Sequence, residues 1–271
     1  MHSLPLKNRF VRLVGTHQKL DRVARRYLNK FLEPNVYFPS GKEIVYFEGM
    51  RGPDGLKRKC PNDPQPSHFL LPDADDKILL SQVLDCRENL KIALKENNRE
   101  RAAFEAAWLA HYLTDALTPA HHFPLHDVRD ELMSDNEYFE IFGRPLRYVM
   151  RGDSPKETVK NNWSYYGKGG AMTKHFFFEF KVAQIINPMK SKNLFPRLSK
   201  KDLENVDLEK EVYKSVNKIH KLKMYDRYRE LGWTEKLNVE TKKILLPEII
   251  KLITLAWYSS LPEEKSEEKW K

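Results

Sequence analysis

The stretch AAFEAAWLAHYLTDALTPAHH, residues 102–122, decides the fold of this chain. Alanine, leucine and aromatic side chains occupy nearly every direction around the helix that it predicts, and a helix that is apolar all round is a buried helix. The same helix nevertheless carries His111 and Asp115. Residues four apart lie on one face of a helix, so the two polar side chains point into the same part of the interior.

Two interpretations of this polar pair are open. A buried carboxylate is costly unless a partner holds its charge, and a hydrogen bond between His111 and Asp115 would supply that partner without any metal. However, Pro119 ends the helix and His121 follows closely. Imidazole and carboxylate groups are zinc ligands, so the third residue favours a metal site.

A second polar pair occurs in KHFFFEF, residues 174–180. His175 and Glu179 are again four apart and share one helical face, while the phenylalanines between them point elsewhere. One such pair could arise by chance. Two pairs on two buried helices are what a metal site between packed helices requires.

Helical periodicity predicts an all-α fold, a single multi-helix domain over residues 1–262 with the metal cluster between its core helices. A long loop rich in glycine and proline is expected at residues 35–76, a basic, proline-interrupted connection at 144–156 and a charged C-terminal tail at 263–271. Helices are predicted at residues 14–32, 78–96, 99–117, 128–141, 171–186, 208–229 and 239–258.

The composition of the 271 residues sets broad limits on function. Apolar residues make up 41%, enough for a sizeable core, and the formal net charge is +9. A basic surface attracts phosphate-bearing partners and anionic lipids. Two cysteines are too few for a disulfide framework, and no signal peptide or bilayer-spanning stretch is evident, so a cytoplasmic location is expected.

These motifs together resemble the zinc-dependent phospholipase C and P1 nuclease superfamily. The resemblance rests first on HYLTDALTPAHH, residues 111–122, which includes Pro119 as well as the ligands. It extends to the downstream His–xxx–Glu pair, to His17 in a THxxL segment, and to Asp54 followed by a His-Phe segment at His68. The matching motifs run from residue 17 to residue 179, and residues 190–271 carry none.

The resemblance implies a cluster of two zinc ions, with a third ion to which Asp115 would bridge and which His17 would also bind. The family completes that third site with an N-terminal tryptophan, whereas this chain has no tryptophan before Trp108, and His2 is the available substitute. Asp63 is a nearer rival of Asp54 for the loop position. The implied ligands are Asp54, His68, His111 and Asp115 for the first zinc, and His121, His175 and Glu179 for the second.

The implied function is that of a zinc-dependent phosphoric-ester hydrolase that cleaves phosphodiesters with metal-activated water, which Asp54 would orient or deprotonate. The HxxxE form of the downstream pair favours phospholipase C-like activity. A single-strand-specific nuclease or nucleotidase of the same superfamily is the alternative, and a non-catalytic, zinc-stabilised helical binding protein is the second. The aromatic segment NNWSYYGKGG, residues 161–170, suits peripheral contact with phospholipid or stacking of single-stranded nucleic acid.

Overall fold

The computed structural model describes residues 6–8, 11–13, 15–55, 68–72, 77–132 and 149–262. This part of the chain is a single all-α domain, as the sequence predicts, preceded by an antiparallel hairpin of β1 (Leu6–Asn8) and β2 (Val11–Leu13). The helices are α1 (Thr16–Leu28), α2 (Gly41–Tyr46), α3 (Ile78–Lys95), α4 (Arg99–Leu117), α5 (Leu125–Glu131), α6 (Pro155–Tyr166), α7 (Ala171–Ile186), α8 (Leu208–His220), α9 (Met224–Leu231), α10 (Glu235–Glu240) and α11 (Leu246–Tyr258). The predicted C-terminal tail, residues 263–271, lies outside the described residues.

Helix α4 forms the centre of the domain. Every residue from Leu109 to Leu117 is buried, and α1, α2, α3, α8 and α11 pack around the helix. Its many alanines let these neighbours approach closely, and the indole N–H of Trp257 on α11 donates a 3.0 Å hydrogen bond to the carbonyl of Ala106. The prediction of a helix buried on all sides is therefore confirmed.

The long loop predicted at residues 35–76 contains regular structure. Ser40 caps α2 by accepting a hydrogen bond from the Glu43 backbone, and the Glu43 carboxylate accepts one from the Ser40 backbone in return. A 3-10 turn follows at Gly49–Arg51. Residues 56–67 and 73–76 of the loop lie outside the described residues.

Two of the predicted helices, 208–229 and 239–258, differ from the prediction because local backbone features override periodicity. The predicted helix 208–229 is broken between α8 and α9, where Lys223 adopts a left-handed conformation with φ 49°. The predicted helix 239–258 begins earlier, at Glu235, where Thr234 caps it. It contains a π-helical turn, Thr241–Leu245, just before Pro247, whose missing N–H cannot continue the α-helical hydrogen bonds.

Helix α6 was not predicted, because the region before it reads as a proline-interrupted connection. The sequence does hold its start signal, since Ser154 caps the helix and Pro155 occupies its first turn. Helix α5 begins and ends earlier than predicted, at Leu125–Glu131, and residues 133–148 lie outside the described residues. Among the helices that the structure describes, none is both long and apolar enough to cross a bilayer.

Candidate metal centre

The first group of candidate ligands surrounds Asp115 on α4. His111 lies one turn earlier with its Nε2 atom 3.2 Å from Asp115 Oδ2. His68 approaches from the loop and places its Nδ1 atom 2.7 Å from the same oxygen. Each of the three residues is buried and offers one donor atom within 4.8 Å of the others, which is close enough for a shared ion.

His17 and Asp54 join this group, and each offers a donor atom within 4.8 Å of the other's and of one on His111. The ring of His17, on the first turn of α1, stacks on the ring of His111 with centroids 4.0 Å apart, and its Nε2 atom lies 3.4 Å from Asp115 Oδ1. Asp54 Oδ1 lies 3.9 Å from both His68 Nδ1 and His111 Nε2. The structure therefore brings Asp54 to the predicted position, while its rival Asp63 lies outside the described residues.

The second group comprises His121, His175 and Glu179. Glu179 Oε1 lies 3.0 Å from His121 Nε2 and 3.2 Å from His175 Nε2. The two imidazole rings are nearly parallel, with centroids 5.2 Å apart. His121 Nδ1 is also 3.5 Å from Asp115 Oδ1, so Asp115 lies between the two groups.

Local backbone structure places His121 beside α7. Pro119 begins a 3-10 turn, Pro119–His122, directly after Thr118 has left the helical conformation. The backbone N–H of His121 donates a 2.8 Å hydrogen bond to the Thr118 carbonyl. This tight turn points the His121 side chain towards Glu179 rather than onward along the axis of α4, which explains why proline belongs in the motif.

Burial and mutual attraction set the charges of the candidate ligands. Burial lowers the pKa of His121 to about 4, so its imidazole is neutral at neutral pH. Burial alone would raise the pKa of Asp115, but the imidazoles of His121 and His111 hold it well below its usual value. Burial opposes ionisation of Glu179 in the same way, and His175 and His121 hold its pKa well below the usual value. Ionised carboxylates and a neutral imidazole are in the states that bind divalent cations.

Several imidazole nitrogens in the centre are buried without a hydrogen-bond partner among the described residues. Such atoms are rare, because an unpaired buried polar group costs about 1–3 kcal/mol. A purely structural His–Asp hydrogen bond would leave that cost unexplained, whereas a metal ion bound through one nitrogen of a ring would offset the cost for that nitrogen. The buried nitrogens without a hydrogen-bond partner are Nδ1 and Nε2 of His17, Nε2 of His68, Nε2 of His111, Nδ1 of His121 and Nδ1 of His175.

Two further buried carboxylates, Glu48 and Asp21, lie close to this centre and were not predicted from the sequence. Glu48 lies with its Oε1 and Oε2 atoms 3.3 and 3.4 Å from His111 Nδ1, on the side of the ring away from Asp115. The two residues are 63 positions apart, and no local pattern reveals such a contact. Asp21 is fully buried, and burial together with the Glu48 carboxylate raises its pKa well above the usual value. Asp21 follows His17 by four residues, so this segment repeats the His–xxx–carboxylate pattern. That repeat could have indicated Asp21 from the sequence.

Comparison of the chain with protein-family models, curated proteins and solved structures found no match. The resemblance to the zinc-dependent phospholipase C and P1 nuclease superfamily therefore stays a prediction. The structure brings together, from five separate segments, the eight ligands that the resemblance implies, and the buried groups among them could hold metal ions.

Proposed function

We propose that this protein is a zinc-dependent phosphoric-ester hydrolase with phospholipase C-like activity on phosphodiesters. The observation that carries the proposal is the position of Asp115. One of its oxygens contacts His68 and His111, and the other lies 3.5 Å from His121 in the second group. Two adjacent ligand groups that share a carboxylate are suited to two neighbouring metal ions, the arrangement used for hydrolysis of phosphate esters.

Nitrogen and oxygen donors of this kind favour zinc over harder cations such as calcium and magnesium. Asp54, His68, His111 and Asp115 would hold one ion, and His121, His175 and Glu179 the other. His17 and Asp115 would contribute to a third ion, and donor atoms of Asp54 and His111 also lie within 4.8 Å of one on His17. Zinc bound at such a site supplies an acidified water and polarises phosphoryl oxygens.

Asp54 is the protein group best placed to handle the proton of the attacking water. About a third of its side chain is exposed (32%), whereas each of the other predicted ligands has at most 11% of its side chain exposed. Burial alone would raise the pKa of Asp54, but the surrounding imidazoles, His111 first, lower it. An ionised carboxylate at the solvent side of the centre can orient a water molecule and accept its proton.

The same geometry would serve a single-strand-specific nuclease or nucleotidase. A non-catalytic zinc-stabilised protein would use the same ligands but would leave no coordination position of the zinc open to substrate or water. The partial exposure of Asp54 favours an enzyme, because a structural zinc site has no need of an accessible side. The cytoplasmic location is proposed on the sequence alone.

The decisive experiment measures hydrolysis of a soluble aryl phosphodiester by the zinc-loaded chain. We expect cleavage that a chelator abolishes, with both zinc content and activity lost in His111→Ala and Asp115→Asn. His220→Ala is the matched control, since it removes an imidazole from α8 that is not a predicted ligand. Undiminished activity in metal-poor His111→Ala would refute the mechanism, and stoichiometric zinc binding without cleavage of any ester would identify the non-catalytic protein.

Phosphatidylcholine, single-stranded DNA, RNA and a nucleotide monophosphate should then be compared as substrates. The phospholipase assignment predicts release of phosphocholine from phosphatidylcholine. Preferential cleavage of single-stranded nucleic acid would assign the protein to the nuclease branch instead.

A further inference from the structure

Exposed apolar side chains are concentrated on α6 and α7, beside the metal centre. Val159 and Trp163 have 71% and 69% of their surfaces exposed, and Phe177 has 50%. Large exposed apolar groups that adjoin one another are uncommon on a protein surface and mark sites of interaction. The apolar surface, as we call it, consists of Val159, Trp163 and Tyr166 on α6 and Met172, Phe176 and Phe177 on α7.

The side chains from α6 form a regular stripe on a helix that is fixed from behind. Val159, Trp163 and Tyr166 are spaced by four and three residues, which places them on one face. Tyr165, on another face, is buried against a small cluster with Met150 and Leu125. The stripe therefore belongs to a packed helix and faces away from its packing partners.

The indole of Trp163 is held in place by the loop that follows α6. Gly167 lies so close to Trp163 that a Cβ atom at position 167 would come within 2.4 Å of the Trp163 carbonyl oxygen and within 2.7 Å of the indole carbon Cδ2. Glycine is therefore required where the chain passes Trp163. An indole that is both positioned and largely exposed is well suited to contact a partner.

The side chains from α7 place part of the apolar surface on the helix that carries two of the candidate ligands. Phe176 directly follows the candidate ligand His175 in the chain, and its ring packs against Phe177 and Phe180 at 5.9 and 6.3 Å between centroids. His175 and Glu179 themselves point inwards. A partner resting on these phenylalanines would therefore contact the helix that carries two of the candidate ligands.

Lysines predominate among the charged residues of the segment that carries the apolar surface, residues 154–186. Between residues 154 and 186 the only acidic residues are Glu157 and Glu179, and Glu179 is buried. The same segment contains no arginine. The exposed lysines in it are Lys156, Lys160, Lys168 and Lys181.

We propose that the apolar surface and these four lysines dock the protein onto an anionic phospholipid bilayer. Aromatic side chains such as tryptophan and tyrosine prefer the membrane–water interface, phenylalanine and methionine enter its apolar part, and lysines reach the lipid phosphates. The proposal rests on the proposed function, since it names a lipid surface as the place where the metal centre meets its substrate.

The composition favours a bilayer over a nucleic acid. Recognition of nucleic acid draws on arginine, which binds phosphates in bidentate fashion and stacks on bases, and residues 154–186 contain no arginine. Its phenylalanines also pack on one another, so they do not stand apart as separate platforms for bases. The aliphatic members Val159 and Met172 gain from entering lipid and offer a base no stacking surface.

The test is co-sedimentation of the full chain with phosphatidylcholine vesicles that contain or lack phosphatidylserine. We expect binding to the anionic vesicles that weakens as salt rises. The double variant Trp163→Ser/Phe177→Ser should lower the affinity at least about tenfold, because it removes two large apolar contacts. Tyr213→Ser/Leu231→Ser, which alters exposed apolar residues on α8 and α9, should bind like the wild type.

A charge-reversal pair tests the lysines in the same assay. Lys160→Glu/Lys168→Glu should lose binding to anionic vesicles, while Lys210→Glu/Lys221→Glu, elsewhere on the surface, should lose little. All of these positions are exposed, so thermal unfolding should show that the variants stay folded.

The docking proposal would be overturned if the wild type bound no vesicles, or if the control variants lost as much vesicle affinity as the variants of the apolar surface. It would also be overturned if the variants of the apolar surface lost only oligonucleotide binding or self-association. Cleavage of the soluble aryl diester is measured separately. If no preparation of the zinc-loaded chain cleaved the aryl diester, the proposed function would be refuted. Vesicle binding tests only the role of the apolar surface and the lysines.

Discussion

The imidazole of His111 has different neighbours on its two ring nitrogens. Its Nε2 atom faces Asp115 and Asp54 inside the candidate metal centre, and its Nδ1 atom faces the carboxylate of Glu48. Burial alone would lower the pKa of His111, but Glu48 and Asp115 raise it well above its usual value. Glu48 thus favours the form of the ring that carries a proton on Nδ1, which leaves Nε2 to bind a metal once the ring is neutral.

Replacement of Glu48 should therefore weaken zinc binding although Glu48 is not a predicted ligand. We expect Glu48→Ala to lower zinc affinity about 10- to 100-fold, and Glu48→Gln to lower it less, because its amide oxygen can still accept from Nδ1–H. Competition with a chromophoric chelator measures both affinities. Glu88→Ala, at an exposed position on α3, is the control, and wild-type affinity in Glu48→Ala would contradict the assigned role.

Contacts between residues close in sequence could be predicted, whereas contacts between residues far apart in sequence could not. His111 with Asp115, and His175 with Glu179, are spaced by four in apolar helices, so helical geometry alone places each pair on one face. Glu48 reaches His111 across 63 residues, and its contact depends on how the loop folds over α4. Contacts of that kind follow from tertiary packing, which a single sequence does not display.

At the scale of elements, a buried carboxylate connects α8 to α11. Glu248 on α11 accepts a 2.8 Å hydrogen bond from the hydroxyl of Ser215 on α8 and forms an ion pair with Lys218 of the same helix. Lys251, one turn further along α11, lies 3.2 Å from the same carboxylate. Burial alone would raise the pKa of Glu248, but these neighbours lower it.

This network predicts a pH-dependent effect of Glu248→Gln. A carboxyl group whose pKa is lower in the folded state stabilises the fold above its unfolded pKa, and the effect is lost as pH falls through the folded pKa. Glu248→Gln should therefore reduce the free energy of unfolding by about 1–2 kcal/mol at pH 7, and by less in acid below the usual glutamate pKa. Urea denaturation at both pH values measures this.

The matched control is Glu230→Gln, which makes the same change at an exposed position on α9. It should leave the free energy of unfolding nearly unchanged at both pH values. A loss of stability in Glu248→Gln that stays the same in acid would show that the charge of the carboxylate is not what matters.

Helix boundaries could be predicted where proline or glycine marks them in the sequence. They could not be predicted where only the backbone geometry ends the helix. The bounds of α4 and α7 agree with the prediction, since Pro119 follows the first helix closely and Gly170 precedes the second. The break before α9 depends on Lys223 in a left-handed conformation. Lysine has no special preference for that conformation, so nothing in the sequence marks the break.

At the scale of the whole molecule, the candidate centre joins parts of the chain that are distant in sequence. Candidate ligands come from α1, from the 35–76 loop, from α4 with its following turn, and from α7. The sequence predicted the all-α fold because periodicity needs only local information. Periodicity could not predict that α1 and α7 would meet, which only the family resemblance implied, because helix pairing is decided by the fit of side chains over the whole domain.

Such convergence predicts that zinc stabilises the entire domain. A ligand that binds only the folded state at 100 times its dissociation constant adds about 2.7 kcal/mol, which corresponds to roughly 5–10 °C in the midpoint of thermal unfolding for a domain of this size. We therefore expect a chelator to lower the midpoint of the wild-type chain by this amount, and added zinc to restore it.

The same thermal measurement on Asp115→Asn separates zinc binding from other effects of the chelator. This variant lacks the carboxylate that contacts both ligand groups, so its midpoint should barely respond to chelator or to zinc. Tyr213→Ser, remote from the centre, should respond like the wild type. If the chelator leaves the wild-type midpoint unchanged, or shifts that of Asp115→Asn equally, then the converging histidines and carboxylates do not share a metal ion that stabilises the fold.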